Sequence, residues 1–345
     1  MKKTLLALAV ASVAATSVNA AEIYKSDDGS VDFYGQLRQE LNFLDSNDSD
    51  QAHTAELGNG SSRTGINAKY SITDSVDALG LVEISVGEGE LSNRLHYVGV
   101  ATDFGTVTFG RQYIATDDVW GADYSYYFGG SALRGETLNG GKHSSAIKYA
   151  FDNESFWVKG TWGLDENDSE QELYDAFVGT GFGDLEVHAG VGYTRDRNFT
   201  LDTGGTRDLS NTYAEFTGEY FFEGGHQVGF TYYWAEVADE EGTNNKINEN
   251  GISLAGWFQA FEKTAFYGGY ELTLQDLKDT DLDDDGTVIY LGVEHRFNSW
   301  ARVYAEYAYL DGRTLGYQSG GDVNVNPGAT NDAFNSVSIG ARVYW

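Results

Sequence analysis

Apolar and polar side chains alternate with period two through most of the chain. In Val31-Asp32-Phe33-Tyr34-Gly35-Gln36-Leu37-Arg38, the residues Val31, Phe33 and Leu37 share one face and Asp32, Gln36 and Arg38 the other. The last segment repeats this, with Val337, Ile339, Ala341, Val343 and Trp345 on one side and Ser338, Gly340, Arg342 and Tyr344 on the other. Alternation of this kind predicts strands whose two faces meet different surroundings. It recurs in sixteen runs, over residues 31–41, 62–72, 76–86, 93–102, 105–112, 142–151, 154–164, 171–182, 184–195, 208–221, 225–238, 249–260, 263–276, 287–297, 299–311 and 332–345.

Connections alternate in length. Short turns such as Thr73-Asp74, Gly183-Asp184 and Asn298-Ser299 are interleaved with long polar stretches at Asn42–Ser61, Asp196–Arg207, Asp239–Lys246, Lys278–Gly286 and Gly312–Asn331. An antiparallel barrel with its turns at one rim and its loops at the other produces this rhythm, and an even strand count sets both termini at the turn rim. The rival all-β reading is a secreted soluble sandwich or propeller. Strands of about ten residues, aromatic at both ends, and a chain that stops inside its last strand favour a transmembrane barrel. The reading is therefore an all-β, 16-stranded antiparallel transmembrane β-barrel, wide enough at that strand count for an aqueous lumen.

Composition sharpens that reading. Aromatic residues make up 14% and glycine 43 positions, while the single proline, Pro327, lies in a Gly/Asn-rich loop, as a sheet without edges requires. Met1-Lys2-Lys3, the apolar run Leu5–Val13 and the small-residue close Val18-Asn19-Ala20 form a secretory signal peptide pattern over residues 1–20, leaving a barrel of residues 21–345. The apolar run is too short to cross a bilayer as a helix. A net charge of −31 argues against nucleic acid as a partner, and the absence of cysteine excludes disulfides, thiolate metal sites and thiol nucleophiles. No cofactor is implied.

Several short motifs, in order and spacing, resemble the general diffusion porins of gammaproteobacteria, nearest in texture to the Vibrio and Photobacterium type. They are Ala21-Glu22-Ile23-Tyr24, Val31-Asp32-Phe33-Tyr34-Gly35, Ser62-Arg63-Thr64-Gly65, Asn93-Arg94-Leu95-His96-Tyr97-Val98-Gly99 and Phe104–Gln112. The resemblance implies a homotrimer of sixteen-stranded barrels in the outer membrane, among its lipid and lipopolysaccharide. It also implies delivery by periplasmic chaperones, insertion by the barrel-assembly machinery, and passage of ions and small hydrophilic solutes. The family usually ends in Phe; Trp345 keeps an aromatic insertion signal.

The stretch Tyr113–Gly141 is too long for an ordinary hairpin and carries Trp120, Tyr124, Tyr126, Tyr127 and Phe128. Folding inward against the wall would bury those rings and narrow the lumen, which is what the family's third loop does. Phe128-Gly129-Gly130 stands at the expected loop tip, although Tyr126 and Tyr127 replace the usual Pro and acidic residue. Arg38, Arg63, Arg94 and Lys142 are the expected basic side of a constriction, of which Arg63, Arg94 and Lys142 match the family's positions. Gln36 stands at the enteric first-strand basic position, with Arg38 two residues on. The expected acidic side is Asp117, Asp118, Asp123 and Glu136, with Asp123 the best match. An excess of acidic groups predicts a mild cation preference. Arg111 has lipid-facing parity, so either it snorkels or it pairs with Glu88 or Glu90 of a neighbouring protomer.

Other sites carry less. Asp281, Asp283, Asp285 and Gly286 mimic the start of a calcium loop, but Gly292 stands where an acidic residue is required. The six histidines, among them His53, His96, His143 and His226, form no motif with serine and acid, so an outer-membrane hydrolase is set aside. His96 and His143 are expected near the constriction. An adhesin or phage-receptor role for the long loops and a sugar-specific channel remain the alternatives.

Overall fold

The computed structural model describes residues 20–45, 53–87, 91–133, 138, 140–165, 171–201, 204–242, 246–278, 283–312 and 333–345. The expected signal peptide as far as Asn19, with Glu88, Glu90, Glu136, Asp281 and Pro327, lies outside them.

Among the described residues, eighteen strands build one antiparallel sheet. They are β1 Ala21–Lys25, β2 Gly29–Asp45, β3 His53–Gly58, β4 Arg63–Thr73, β5 Val76–Val86, β6 Leu91–Thr102, β7 Gly105–Tyr113, β8 Lys142–Asp152 and β9 Phe156–Gly163. The second half is β10 Gln171–Phe182, β11 Leu185–Thr200, β12 Thr206–Phe222, β13 His226–Asp239, β14 Lys246–Phe261, β15 Thr264–Leu277, β16 Asp283–Asn298, β17 Ala301–Gly312 and β18 Phe334–Tyr344. The sheet closes where β18 pairs with β2, from Val337↔Phe43 to Tyr344↔Gln36. β3 and β4 are two parts of one stave, since both pair with β2. β1 takes the edge of β2 that β18 leaves, and the Trp345 and Gly35 amides exchange hydrogen bonds of 3.1 and 3.0 Å between the two segments. β1 and the end of β18 thus share a stave, and the eighteen strands make the expected sixteen-membered barrel.

Among the described residues no helix is long and apolar enough to cross a membrane. The strands supply the apolar surface instead, because Val178, Leu254, Phe266 and Leu291 all point outward and are half or more exposed. The inward side alternates rings with glycine. A Cβ on Gly251 would stand 2.0 Å from the Tyr233 ring, and one on Gly340 would stand 2.1 Å from the Tyr304 ring. Glycine here lets a neighbouring ring lie flat on the wall, which accounts for much of its abundance.

The expected loops begin later than alternation indicates. β3 lies within the expected loop Asn42–Ser61, β11 and β12 run on to Thr200 and back from Thr206, and β16 starts at Asp283 within Lys278–Gly286. In these extensions polar residues stand on both faces, with apolar ones such as Leu57 and Phe199 scattered among them, so the period-two contrast fades while the hydrogen-bond ladder continues. Arg195 Nε and Nη2 clamp both Asp208 oxygens across one of them, at 2.9 and 2.8 Å. The acidic run Asp283–Asp285 pairs with Leu274–Asp276 as strand, and no cluster with metal-binding spacing is found among the described residues.

Candidate functional site

After β7 the chain turns into the barrel. The one-turn helix α1, Ala115–Asp118, starts the descent. The Ala115 N–H donates to Thr161 Oγ1 at 2.8 Å, and Thr116 donates from N and Oγ1 to Asp175 Oδ2 at 2.9 and 2.8 Å. Farther along, the Ala122 N–H meets Thr231 Oγ1 at 2.7 Å while Ser253 Oγ donates to the Ala122 carbonyl at 2.6 Å. The loop therefore crosses the inner wall from β9 and β10 past β13 and β14, replacing water as the partner of its own backbone groups.

Its tip is held by two wall carboxylates. Glu306 on β17 accepts the N–H groups of Tyr126, Tyr127 and Phe128 at 2.7, 3.2 and 2.7 Å, and the Tyr267 hydroxyl at 2.9 Å. Glu271 on β15 accepts those of Gly130 and Ala132 at 2.7 and 3.2 Å. Phe128 packs with Tyr267, Val288, Tyr290 and Ala308, with Tyr124, Tyr126 and Tyr127 against the same cluster. The inward fold expected from the aromatic content is present, and burial of those rings goes with it.

Beside the loop is a cavity of about 450 Å³, lined among others by Arg63, Glu83, Tyr97, Asp117, Asp118 and Lys148. Glu83 on β5, which the sequence reading did not single out, is its electrostatic centre. Its oxygens lie 2.7 Å from Arg94 Nε and 3.4 Å from Arg63 Nε, and Tyr34 donates to it at 3.1 Å. An acidic residue in the apolar middle of β5 was the available signal. Arg94 reaches Glu83 because of a bulge: Glu83 pairs with Leu95 and Ile84 with Asn93, so Arg94 is the extra residue and turns inward. Arg94 also donates to the Tyr113 hydroxyl, and Lys142 Nζ sits 5.0 Å from that ring's centre.

The acidic side is only partly as expected. Asp117 lines the cavity. Asp118 does not face Arg63 or Arg94 but forms a 2.5 Å ion pair with Lys148, both side chains buried. Asp123 is turned into the loop, where it accepts the Ser125 N–H at 2.8 Å and the Ser125 hydroxyl at 3.1 Å. Burial pushes its carboxyl above the usual aspartate range. It shapes the tip rather than opposing the basic wall. A short polar residue two positions before Ser125 suits an Asx turn, and that local chemistry prevails. Arg38 is placed on the inward face, where its nearest side-chain acceptor is Gln36 Oε1 at 3.4 Å.

Arg111 is on the outer surface, where two of its five N–H groups are taken within the chain, by the Arg94 carbonyl at 3.2 Å and Ser144 Oγ at 2.5 Å. His96, its cross-strand neighbour, also faces outward, against expectation, and lies 2.7 Å from Asn93 Nδ2. The parity of β6 beyond the Arg94 bulge explains this. His143 is buried and accepts the Ser145 N–H at 3.1 Å.

Comparison with known proteins agrees with this architecture. A family model described as Gram-negative porin matches residues 7–315. Porin-like protein H of Photobacterium profundum is 29% identical over 336 residues, covering 94% of this chain and 99% of that protein. The solved structure of in-vitro folded OmpT, an outer membrane protein of Vibrio cholerae, superimposes with a TM-score of 0.84 at 46% identity, over 94% of this chain and all of that one. OmpT in its trimer form gives 0.83 at 46% identity, over 92% and 100% of the two chains.

Proposed function

The chain belongs to the Gram-negative porin family of outer-membrane channels, and from that premise we propose that it forms a trimeric water-filled pore for ions and small hydrophilic solutes, mildly selective for cations. Residues 1–20 are the signal peptide in this reading, and Trp345 is the terminal signal for insertion. No catalysis is proposed.

The observation that carries it is the tip held by Glu306 and Glu271 beside a cavity lined by both charge signs. A loop held along the wall narrows the lumen and leaves part of it open. In that confined space, charges interact more strongly than in bulk water, so the wall selects by charge as well as size. The proposed constriction has Arg38, Arg63, Arg94 and Lys142 on its basic side and Asp117 with Glu83 on its acidic side. Lys148 and Asp118 neutralise each other, and Asp123 serves loop shape. The relative in trimer form supports the trimer. Arg111, on the outer face, is the proposed protomer contact toward Glu88 and Glu90 of a neighbour.

Cation preference rests on the acidic excess of the chain, −31 overall. The reversal potential of the purified channel across a potassium chloride gradient is expected to have the sign of greater potassium permeability. Chloride preference would contradict that part of the proposal.

A further inference from the structure

Four arginines from four strands stand side by side on the wall. Arg296 of β16 pairs in register with Arg302 of β17, Arg302 with Arg342 of β18, and Arg342 with Arg38 of β2. All four share the inward parity of their strands, alongside the buried Glu294, Tyr304, Gly340 and Glu40. At about 4.8 Å per strand the row spans roughly 14 Å. It begins two residues from the β16–β17 turn, at the short-turn rim, and rises with strand tilt to Arg38 beside the constriction cavity.

Like charges directly opposite each other in a sheet repel. Carboxylates do not cancel them here. Glu294 is shared between Arg296 and Arg302, while Glu40 comes no nearer to Arg342 than 3.9 Å. Arg38 has no carboxylate partner among the described residues. The Nε atoms of Arg38 and Arg342 are buried without a hydrogen-bond acceptor, and Arg342 as a whole is only 8% exposed. Buried donors of this kind call for an occupant.

Rings set the guanidinium planes. Arg296 lies over Trp257 at 5.8 Å, Arg302 over Tyr344 at 5.0 Å, and Arg342 over Tyr126 at 4.5 Å. Stacking uses the faces of the cations; on their edges Arg342 Nη2 donates to the Tyr126 carbonyl at 3.0 Å and Arg302 Nη1 to the Tyr126 hydroxyl at 2.7 Å, which leaves the remaining N–H groups to donate to a ligand. Side-chain exposure falls from 52% at Arg296 through 23% at Arg302 to 9% at Arg342, and Arg38 beyond it is part-exposed again, toward the constriction. That gradient suits a rail entered from the rim.

We propose that this arginine row binds multivalent, phosphate-type oxyanions and guides them along the wall between the short-turn rim and the constriction. The inference rests on the channel reading but not on its cation preference, because a wall site holds an anion locally while small cations use the rest of the lumen.

Pyrophosphate titrated against single channels in a chloride background tests this. Discrete current interruptions are expected in the unaltered protein, with the half-blocking concentration raised about tenfold in Arg342→Gln, by loss of a charge-assisted hydrogen bond. Arg296→Gln, at the open rim, is expected to weaken block in the same direction and keeps the test intact should Arg342→Gln fail to assemble. Lys25→Gln, which removes one charge from the exposed β1, serves as control. Pyrophosphate acting only through bulk conductivity, or equal block in all variants, would overturn the rail alone. Absence of any chloride current would overturn it together with the channel reading.

Discussion

Glu306→Ala is expected to free the loop tip and produce larger, noisier single-channel currents. The carboxylate holds three consecutive backbone N–H groups and the Tyr267 hydroxyl, and the substitution leaves all four donors without their acceptor. Stranding buried donors costs about 1–3 kcal/mol each, so after partial rehydration the seat of the tip weakens by roughly 3–6 kcal/mol. Glu271 still holds Gly130 and Ala132, so the loop swings from that point rather than leaving the lumen. Glu306→Gln keeps one acceptor oxygen and should fall between. Current traces identical to those of the unaltered channel would show that the rings, not the carboxylate, hold the tip.

The second large effect concerns charge. Glu83 is 4% exposed and offers one oxygen to Arg94 and the other to Arg63 and Tyr34. In Glu83→Gln both guanidiniums lose their counter-charge at the cavity, and breaking a buried pair in this way costs about 3–5 kcal/mol. The reversal potential in a salt gradient should move toward anions. Asp118→Asn should move it less, because Lys148 already neutralises Asp118 in a buried pair. An unchanged reversal potential in Glu83→Gln would remove this residue from the selectivity-determining set.

How far the sequence carries depends on what each feature needs. β5 and β10 match the expected runs 76–86 and 171–182 at both ends, because their outward positions are mostly apolar, as at Val76, Ala78, Val82 and Ile84 of β5 and Tyr174, Ala176 and Val178 of β10. The inward third loop was legible from rings that no exposed loop would carry. Ribbon ends such as β3 and the start of β16 were not, since polar residues stand on both faces there. Arg94 was placed inward, but the reason, a bulge that reverses its parity, needs the register with β5. Glu271 and Glu306 read as ordinary lumen acids until the loop amides are laid against them. The arginine row is the extreme case: Arg296 and Arg302 face each other across one turn, but Arg38 joins Arg342 only when the barrel closes β18 onto β2.

The central claim, a trimer of water-filled pores, is tested most directly by the purified protein in a planar bilayer, with closures counted under high voltage. Conductance proportional to salt concentration and closure in three equal steps is the predicted result. Folded protein that inserts without conducting, or closes in a single step, would contradict it.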